Sequence, residues 1–324
     1  MHAYTRLMTI AGAVAATMLA TAAVGADWPD KSRTINFIVA YPPGGGTDTT
    51  ARVMVPLLEK ALGVPVQIVN KGGAGGQIGF GELARARPDG YTIGYLILPT
   101  VPSIYLDPDR QATFSRKSFD LIAMQDSDPG VLAVQASSPF KTLKDFVDAA
   151  KAAPGKIRVA TSGIMSDDHI AAMMTEKAAG VKFATVHFDG GGPSRTAILG
   201  GHVDGLYSNA SEIGSQVAGK ELRILAVLDP KRSRFYPDVQ TAAEQGYPVV
   251  SGVYRGVGAP VGMPKQARDV LVAALKKVIT GEEFTQRMQN ISYDTLYMES
   301  AAYAKVWDDF ESGAKAWVDM GKEK

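Results

Sequence analysis

The chain has 324 residues, contains no cysteine, and balances 34 basic against 33 acidic side chains for a formal net charge of +1. Without cysteine, the sequence excludes a lipobox, a disulfide framework, a thiolate nucleophile and a cysteine–zinc site. The near-neutral balance argues against nucleic acid or an anionic membrane as the main partner. A mature length of about 300 residues suffices for a core without disulfides and favours two lobes.

The N-terminus has the order of a secretory signal. Arg6 precedes an uncharged apolar run over residues 7–24, and Val24-Gly25-Ala26 supplies the small residues that a signal peptidase reads. The alternative is an uncleaved membrane anchor, since the run is about as long as the roughly 18 residues of a spanning candidate. The alanine-rich run and the cleavage site favour a signal peptide over residues 1–26, cleaved after Ala26, and a periplasmic location.

Short apolar strands alternate with amphipathic helices in the rest of the chain. Strands are predicted near 35–40, 64–69 and 91–98, with a helix between the first two that ends at Gly63. Strand, glycine loop, helix and strand at this spacing are typical of βαβ units in a parallel sheet, so the fold class is α/β.

The same pattern restarts at a strand near 131–134, and the last third returns to the first unit through a strand near 252–259. The crossings are expected near Asp128-Pro129 and near 248–254. They divide the chain into one lobe of residues 27–128 and 252–324 and a second lobe of residues 129–251. Two crossings make a hinge with a ligand cleft.

Four loops follow the predicted strands, at 41–48, 98–103, 161–167 and 207–211. In an open parallel sheet, ligands bind beyond the carboxyl ends of the strands. The loops at 44–48 and 161–167 each precede a helix, one in each lobe, and two helix N-termini can hold an anion without a basic side chain. The alternative is that these glycines only make tight turns.

Enzyme motifs are weak or missing in this sequence. There is no G-x-S-x-G elbow, residues 44–52 lack the lysine of a phosphate-binding loop, and Gly79-x-Gly81-x-x-Ala84 falls inside a predicted helix. Asp167-Asp168-His169 can be interpreted as metal ligands, but two acids at a helix N-terminus are the simpler interpretation. We therefore predict no catalytic residue, no metal and no cofactor. A hydrolase with an unrecognised site is the enzymatic alternative.

Several motifs in order along the chain resemble the TctC/Bug family, the extracytoplasmic receptors of tripartite tricarboxylate transporters. They are residues 41–48 (YPPGGGTD), 70–79 (NKGGAGGQIG), 88–92 (PDGYT), 190–193 (GGGP) with 199–204 (LGGHVD), 232–241 (RSRFYPDVQT) and 258–260 (GAP). Each motif alone is weak, but the ordered set is specific.

The resemblance implies a two-lobed periplasmic binding-protein fold, type II-like, that closes on a ligand and performs no chemistry. It implies a monomer that delivers a small organic acid to two membrane subunits. The ligand carboxylate is expected to be held by backbone groups, small hydroxyls and water. Carried over by position, the ligand-binding residues are Tyr41, Gly46, Thr47, Asp48, Thr100, Ser162, Met165, Ser166, Asp167 and Asn209.

Departures from the family pattern lie mainly in the second lobe, at Ile164-Met165, Asp189, Ser208 and Tyr254-Arg255. They leave the ligand open among citrate-like, dicarboxylic and aromatic carboxylates, and amino acids whose ammonium Asp167 receives. The alternative function is a receptor that presents its ligand to a sensor protein.

Overall fold

The computed structural model describes residues 28–322, and both the predicted signal sequence and its predicted cleavage site lie outside them. Ten strands are found in this part of the chain: Ile35–Val39 (β1), Val66–Asn70 (β2), Thr92–Leu98 (β3), Phe119–Gln135 (β4), Arg158–Thr161 (β5), Ala184–His187 (β6), Gly205–Asn209 (β7), Leu222–Leu228 (β8), Gly252–Pro260 (β9) and Met298–Glu299 (β10).

Ten α-helices accompany these strands over the same residues: Gly46–Leu62 (α1), Gln77–Arg85 (α2), Thr100–Leu106 (α3), Leu143–Ala152 (α4), Asp167–Ala179 (α5), Gly191–Leu199 (α6), Gly214–Ala218 (α7), Lys265–Ile279 (α8), Glu282–Asn290 (α9) and Ser300–Lys322 (α10). None of these helices is long and apolar enough to cross a membrane.

The first lobe contains the predicted parallel βαβ units. Strand β1 pairs in parallel with β2 on one side and β3 on the other, and the returning strand β9 lies antiparallel between β3 and β4. Helix α1 packs on this sheet through Ala51, Met54 and Leu58, which recur at helical spacing and are fully buried. The α/β prediction is therefore confirmed.

Strand β4 belongs to both lobes. Its first part, from Phe119, pairs with β9, and its last part, to Gln135, pairs with β7 and β8. Where the chain crosses back, Pro129 is the register partner of Gly252, and the Gly130 N–H donates to the Ser251 carbonyl at 2.8 Å. The two crossings thus lie side by side, and the two-lobed architecture with its cleft is confirmed.

The buried side chains form separate apolar clusters on either side of these crossings. One large cluster combines residues from 35–124 with residues from 253–307, and two others use only residues from 131–249. Helix α10 starts on the first cluster, and its last turns carry Val318 to a small methionine-rich cluster with Met165 and Met173. This helix therefore contacts both lobes.

Candidate functional site

A cavity lies between the two lobes at the carboxyl ends of the strands. Six of the ten predicted ligand residues line it: Tyr41, Gly46, Thr47, Ser162, Asp167 and Asn209. Residues 189–193, Glu212 and Arg255 complete most of the wall. The cavity volume is about 30 Å³, room for about one water molecule. This space is smaller than a small organic molecule.

One wall of the cavity is the N-terminus of α1. Its N-cap residue is Gly45, which offers no capping side chain, and the Thr49 N–H makes the first backbone hydrogen bond of the helix, to the Gly45 carbonyl at 2.9 Å. The N–H groups of residues 46–48 precede that bond and have no partner within the helix. This end of α1 therefore carries a positive partial charge at the cavity.

The opposite wall is the N-terminus of α6. It follows Gly190, which has φ of 99° and no capping side chain. A Cβ atom at Gly45 would lie 3.8 Å from the backbone nitrogens of Gly191 and Gly192, so the ends of α1 and α6 face each other closely. Two uncapped N-termini from different lobes thus converge on one cavity, an arrangement that favours an anion.

The loop at 161–167 contributes less than the sequence suggested. The N-terminus of α5 is capped from within, because Ser166 Oγ accepts from the His169 N–H at 3.2 Å. The Asp168 carboxylate accepts from the Ser162 N–H at 3.1 Å. Ser162 still lines the cavity, but the second helix N-terminus there belongs to α6 rather than to α5.

Four of the predicted ligand residues do not line the cavity. The Asp48 carboxylate shapes the loop from behind, accepting from the Gly44 N–H at 2.9 Å and from Arg52 Nε at 2.8 Å. Thr100 is fully buried at the start of α3. Met165 packs in the methionine-rich cluster, and Ser166 serves as the N-cap of α5.

An ion pair across the cleft joins Glu212 and Arg255, neither of which was predicted as a ligand residue. Arg255 on β9 is fully buried, and its Nη2 donates to Glu212 Oε1, in the loop after β7, at 2.8 Å. Its Nη1 donates to Asp126 Oδ1 at 3.1 Å and lies 3.7 Å from Asp128 Oδ2. One guanidinium is therefore shared by three carboxylates.

Burial has the largest effect on the pKa values of the three carboxyl groups in this network. It raises the pKa of Asp128 to about 7 although Arg255 opposes the shift. Burial also raises the pKa of Asp126 and of Glu212, again against the effect of Arg255. For Arg255 itself, burial favours a lower pKa, but Asp126 and the other acids outweigh it and hold the pKa well above its ordinary value.

A second acidic group lies at the start of α5. Asp167 Oδ2 accepts from Asn209 Nδ2 at 2.8 Å, which joins two of the predicted ligand residues. Burial raises the pKa of Asp167 against that hydrogen bond. Burial, followed by the neighbouring Asp167 charge, raises the pKa of Asp168 well above its usual range. The cavity thus combines two anion-attracting helix ends with an excess of acidic side chains.

Only one of the two missed residues had left a signal in the sequence. Arg255 was recognised as a departure from the family pattern, although its role was not inferred. Glu212 belongs to no motif, and it reaches the cavity because the loop after β7 turns back toward β9. Among residues 28–322 no group of three or more His, Asp or Glu side chains is arranged to hold a metal ion.

Comparisons with known proteins agree with this geometry. Residues 50–319 match the model of the tripartite tricarboxylate transporter family receptor, TctC. Protein BugT of Bordetella pertussis is 32% identical over 273 residues, covering 80% of this chain and 79% of that protein.

Two solved structures share the fold. Periplasmic binding protein BugD has 28% identity and a TM-score of 0.80, covering 90% of this chain and 97% of that one. MatC from Rhodopseudomonas palustris, solved with bound malate, has 25% identity and a TM-score of 0.81, covering 88% of this chain and 99% of that one. The chain therefore belongs to the TctC family of tripartite tricarboxylate transporter receptors.

Proposed function

We propose that this protein captures a small organic carboxylate in the cleft and delivers it, as a monomer, to the two membrane subunits of a tripartite transporter. The observation that carries the proposal is the convergence of two uncapped helix N-termini, α1 and α6, from opposite lobes. Helix N-termini present N–H donors and a positive partial charge, which suit a carboxylate. MatC, a relative of the same fold, binds malate.

The grip on the carboxylate would come from neutral donors. Backbone N–H groups at the starts of α1 and α6 and the hydroxyls of Thr47 and Ser162 border the cavity. Each charge-assisted hydrogen bond is worth roughly 1.5–3 kcal/mol when water is excluded. Two or three such bonds suffice for a specific site without a basic side chain. No reaction is required of the protein.

Closure would take place about the paired crossings. We propose lobes of residues 27–128 with 252–324, and of residues 129–251, which move about the backbone near 128–130 and 251–253. A ligand that bridges both lobes favours the closed form through the contacts that it makes only there. The Arg195 Nη2 bond to the Gly44 carbonyl, at 3.0 Å, is one contact between lobes that opening would break.

Export to the periplasm completes the proposal. Residues 1–26 would be removed after Ala26, so the mature chain would begin at Asp27. N-terminal sequencing of protein recovered from the periplasmic fraction checks this, and full-length protein in the membrane fraction would contradict it.

Calorimetry of two alanine variants tests how the ligand carboxylate is bound. Thr47→Ala and Ser162→Ala each remove one donor that borders the cavity, so each should weaken carboxylate binding by about tenfold or more, since about 1.4 kcal/mol is tenfold. Thr280→Ala, at the exposed end of α8, removes an equivalent hydroxyl far from the cleft and serves as the matched control.

The same calorimetric titrations compare the carboxylic acid ligand with the corresponding amide. The acid should bind more tightly, because the amide lacks the charge that the helix ends attract. Equal binding of acid and amide, or parent-like binding by both cleft variants, would show that the carboxylate does not lie between these helix ends. Loss of carboxylate uptake on deletion of the gene tests delivery to a transporter.

A further inference from the structure

The cavity contains more acid than a plain carboxylate ligand accounts for. Three acidic side chains line it, those of Asp167, Asp189 and Glu212, against the single cation of Arg255. Bringing a dicarboxylate into this space would add two negative charges where there is already an excess. Repulsion between like charges grows as water is excluded, so closure on such a ligand is disfavoured.

Arg255 does not offset this excess for a ligand. Its Nη2 is bonded to Glu212 at 2.8 Å and its Nη1 to Asp126 at 3.1 Å, with Asp128 at 3.7 Å. The guanidinium that borders the cavity is therefore already paired with carboxylates of the protein itself. A ligand carboxylate must rely on the helix ends and on the hydroxyls of Thr47 and Ser162.

Glu212 also occupies the space beside those helix ends. A Cβ atom at Gly46 would collide with the Glu212 carboxylate, and so would a Cβ atom at Gly191. The carboxylate is thus pressed against the first residues of both α1 and α6. A ligand carboxylate bound to the N–H groups of the same two helices has to lie next to it.

We infer that Glu212 is a specificity-determining residue that selects a ligand with a protonated amino group beside its carboxylate, an amino acid. The ammonium would donate to Glu212 and Asp167, while the carboxylate takes the N–H groups of α1 and α6. The amino group thus turns the repulsion from Glu212 into an attraction. This inference rests on the proposed carboxylate function and adds the second recognised group.

Matched pairs of ligands test the inference by calorimetry at neutral pH. The pairs are L-aspartate with succinate, L-glutamate with glutarate, and L-phenylalanine with 3-phenylpropanoate, and the members of each pair differ by the amino group. The parent protein should bind the amino acid of at least one pair about tenfold or more tightly than its partner acid.

Two cleft variants and one control complete the experiment. Glu212→Gln keeps the size of the side chain and an acceptor for Arg255 but removes the charge, so the preference for the amino acid should fall by about tenfold. Asp167→Asn should shift the preference in the same direction. Glu299→Gln removes a carboxylate from an exposed pair with Lys276 and should leave the preference unchanged. Melting curves establish that each variant is folded.

The outcomes separate the two proposals. If, in every pair that binds the parent, the plain acid binds as tightly as its amino counterpart, the amino-group inference is wrong and the carboxylate function stands. A preference that survives both Glu212→Gln and Asp167→Asn would also overturn the assignment to these acids. If none of the six compounds binds, the amino-group inference fails, whereas the carboxylate function is tested separately by the comparison of acid with amide.

Discussion

Replacing Arg255 with methionine should destabilise the protein strongly and in a pH-dependent way. The change keeps most of the side-chain volume but removes the guanidinium that donates to the carboxylates of Asp126 and Glu212 in the folded state. Asp128 lies 3.7 Å from the same guanidinium. The variant thus removes the positive charge that these three carboxylates share.

The magnitude follows from the burial of the network. Arg255 and Asp126 are fully buried and the Glu212 side chain is 10% exposed, so water cannot replace the lost cation. Removing one partner of a buried ion pair costs roughly 3–5 kcal/mol. For comparison, Arg287→Met breaks a surface pair with Glu283, with side chains 48% and 53% exposed. Such pairs contribute about 0–1 kcal/mol.

Urea unfolding of the parent and both variants at about pH 8 and about pH 5 measures these losses. Without Arg255 the buried acids hold protons in the folded state that the unfolded chain has lost. The free energy of unfolding of Arg255→Met therefore falls further below that of the parent as pH rises. We expect the full loss at the higher pH and a smaller one at the lower. A variant as stable as the parent at about pH 8, or a loss independent of pH, would refute the reasoning.

Three further predictions follow from the same contacts. Gly46→Ala should lower the free energy of unfolding by roughly 1–3 kcal/mol, because its Cβ would collide with Glu212. Urea unfolding should show that adding Glu212→Ala relieves this loss and that Gly45→Ala alone causes almost none. Burial raises the pKa of Asp128 to about 7, so between about 4 and 7 the folded state binds more protons and loses stability as pH rises. Asp128→Asn should lack this pH-dependent loss of stability. A free energy of unfolding that falls with pH as steeply in the variant as in the parent would contradict the prediction. Small-angle scattering should show a smaller radius of gyration on ligand saturation, and an unchanged radius with bound ligand would argue against hinge closure.

The alternation of strands and helices could be predicted because each element has its own local pattern. The βαβ unit from Ile35 to Leu98 was predicted from apolar spacing and glycine punctuation. Strand β4 was predicted only near 131–134, because Asp126, Asp128 and Pro129 interrupt its apolar pattern. In the structure β4 runs from Phe119 to Gln135, since the acids pair with Arg255 and the proline lies where the strand passes between lobes.

The site was predicted in part for a similar reason. Glycine loops before helices are visible in the sequence, so the loop at 41–48 was predicted as a ligand loop, and its residues Tyr41, Gly46 and Thr47 line the cavity. Whether a helix N-terminus is open or capped depends on side-chain geometry, and Ser166 closes the end of α5 while α6 stays uncapped. The ion pair of Glu212 and Arg255 joins residues 43 positions apart, through a loop and a strand from different lobes. No local pattern signals such a contact.

Mass spectrometry of the small molecules released from natively purified protein tests the binding of an organic carboxylate most directly. The protein should be purified without added ligand, denatured, and compared with Thr47→Ala protein prepared in parallel. We expect a single carboxylic acid in the parent sample, depleted in the variant. A neutral sugar, a metal ion or any ligand without a carboxylate, retained equally by both proteins, would contradict the proposed site.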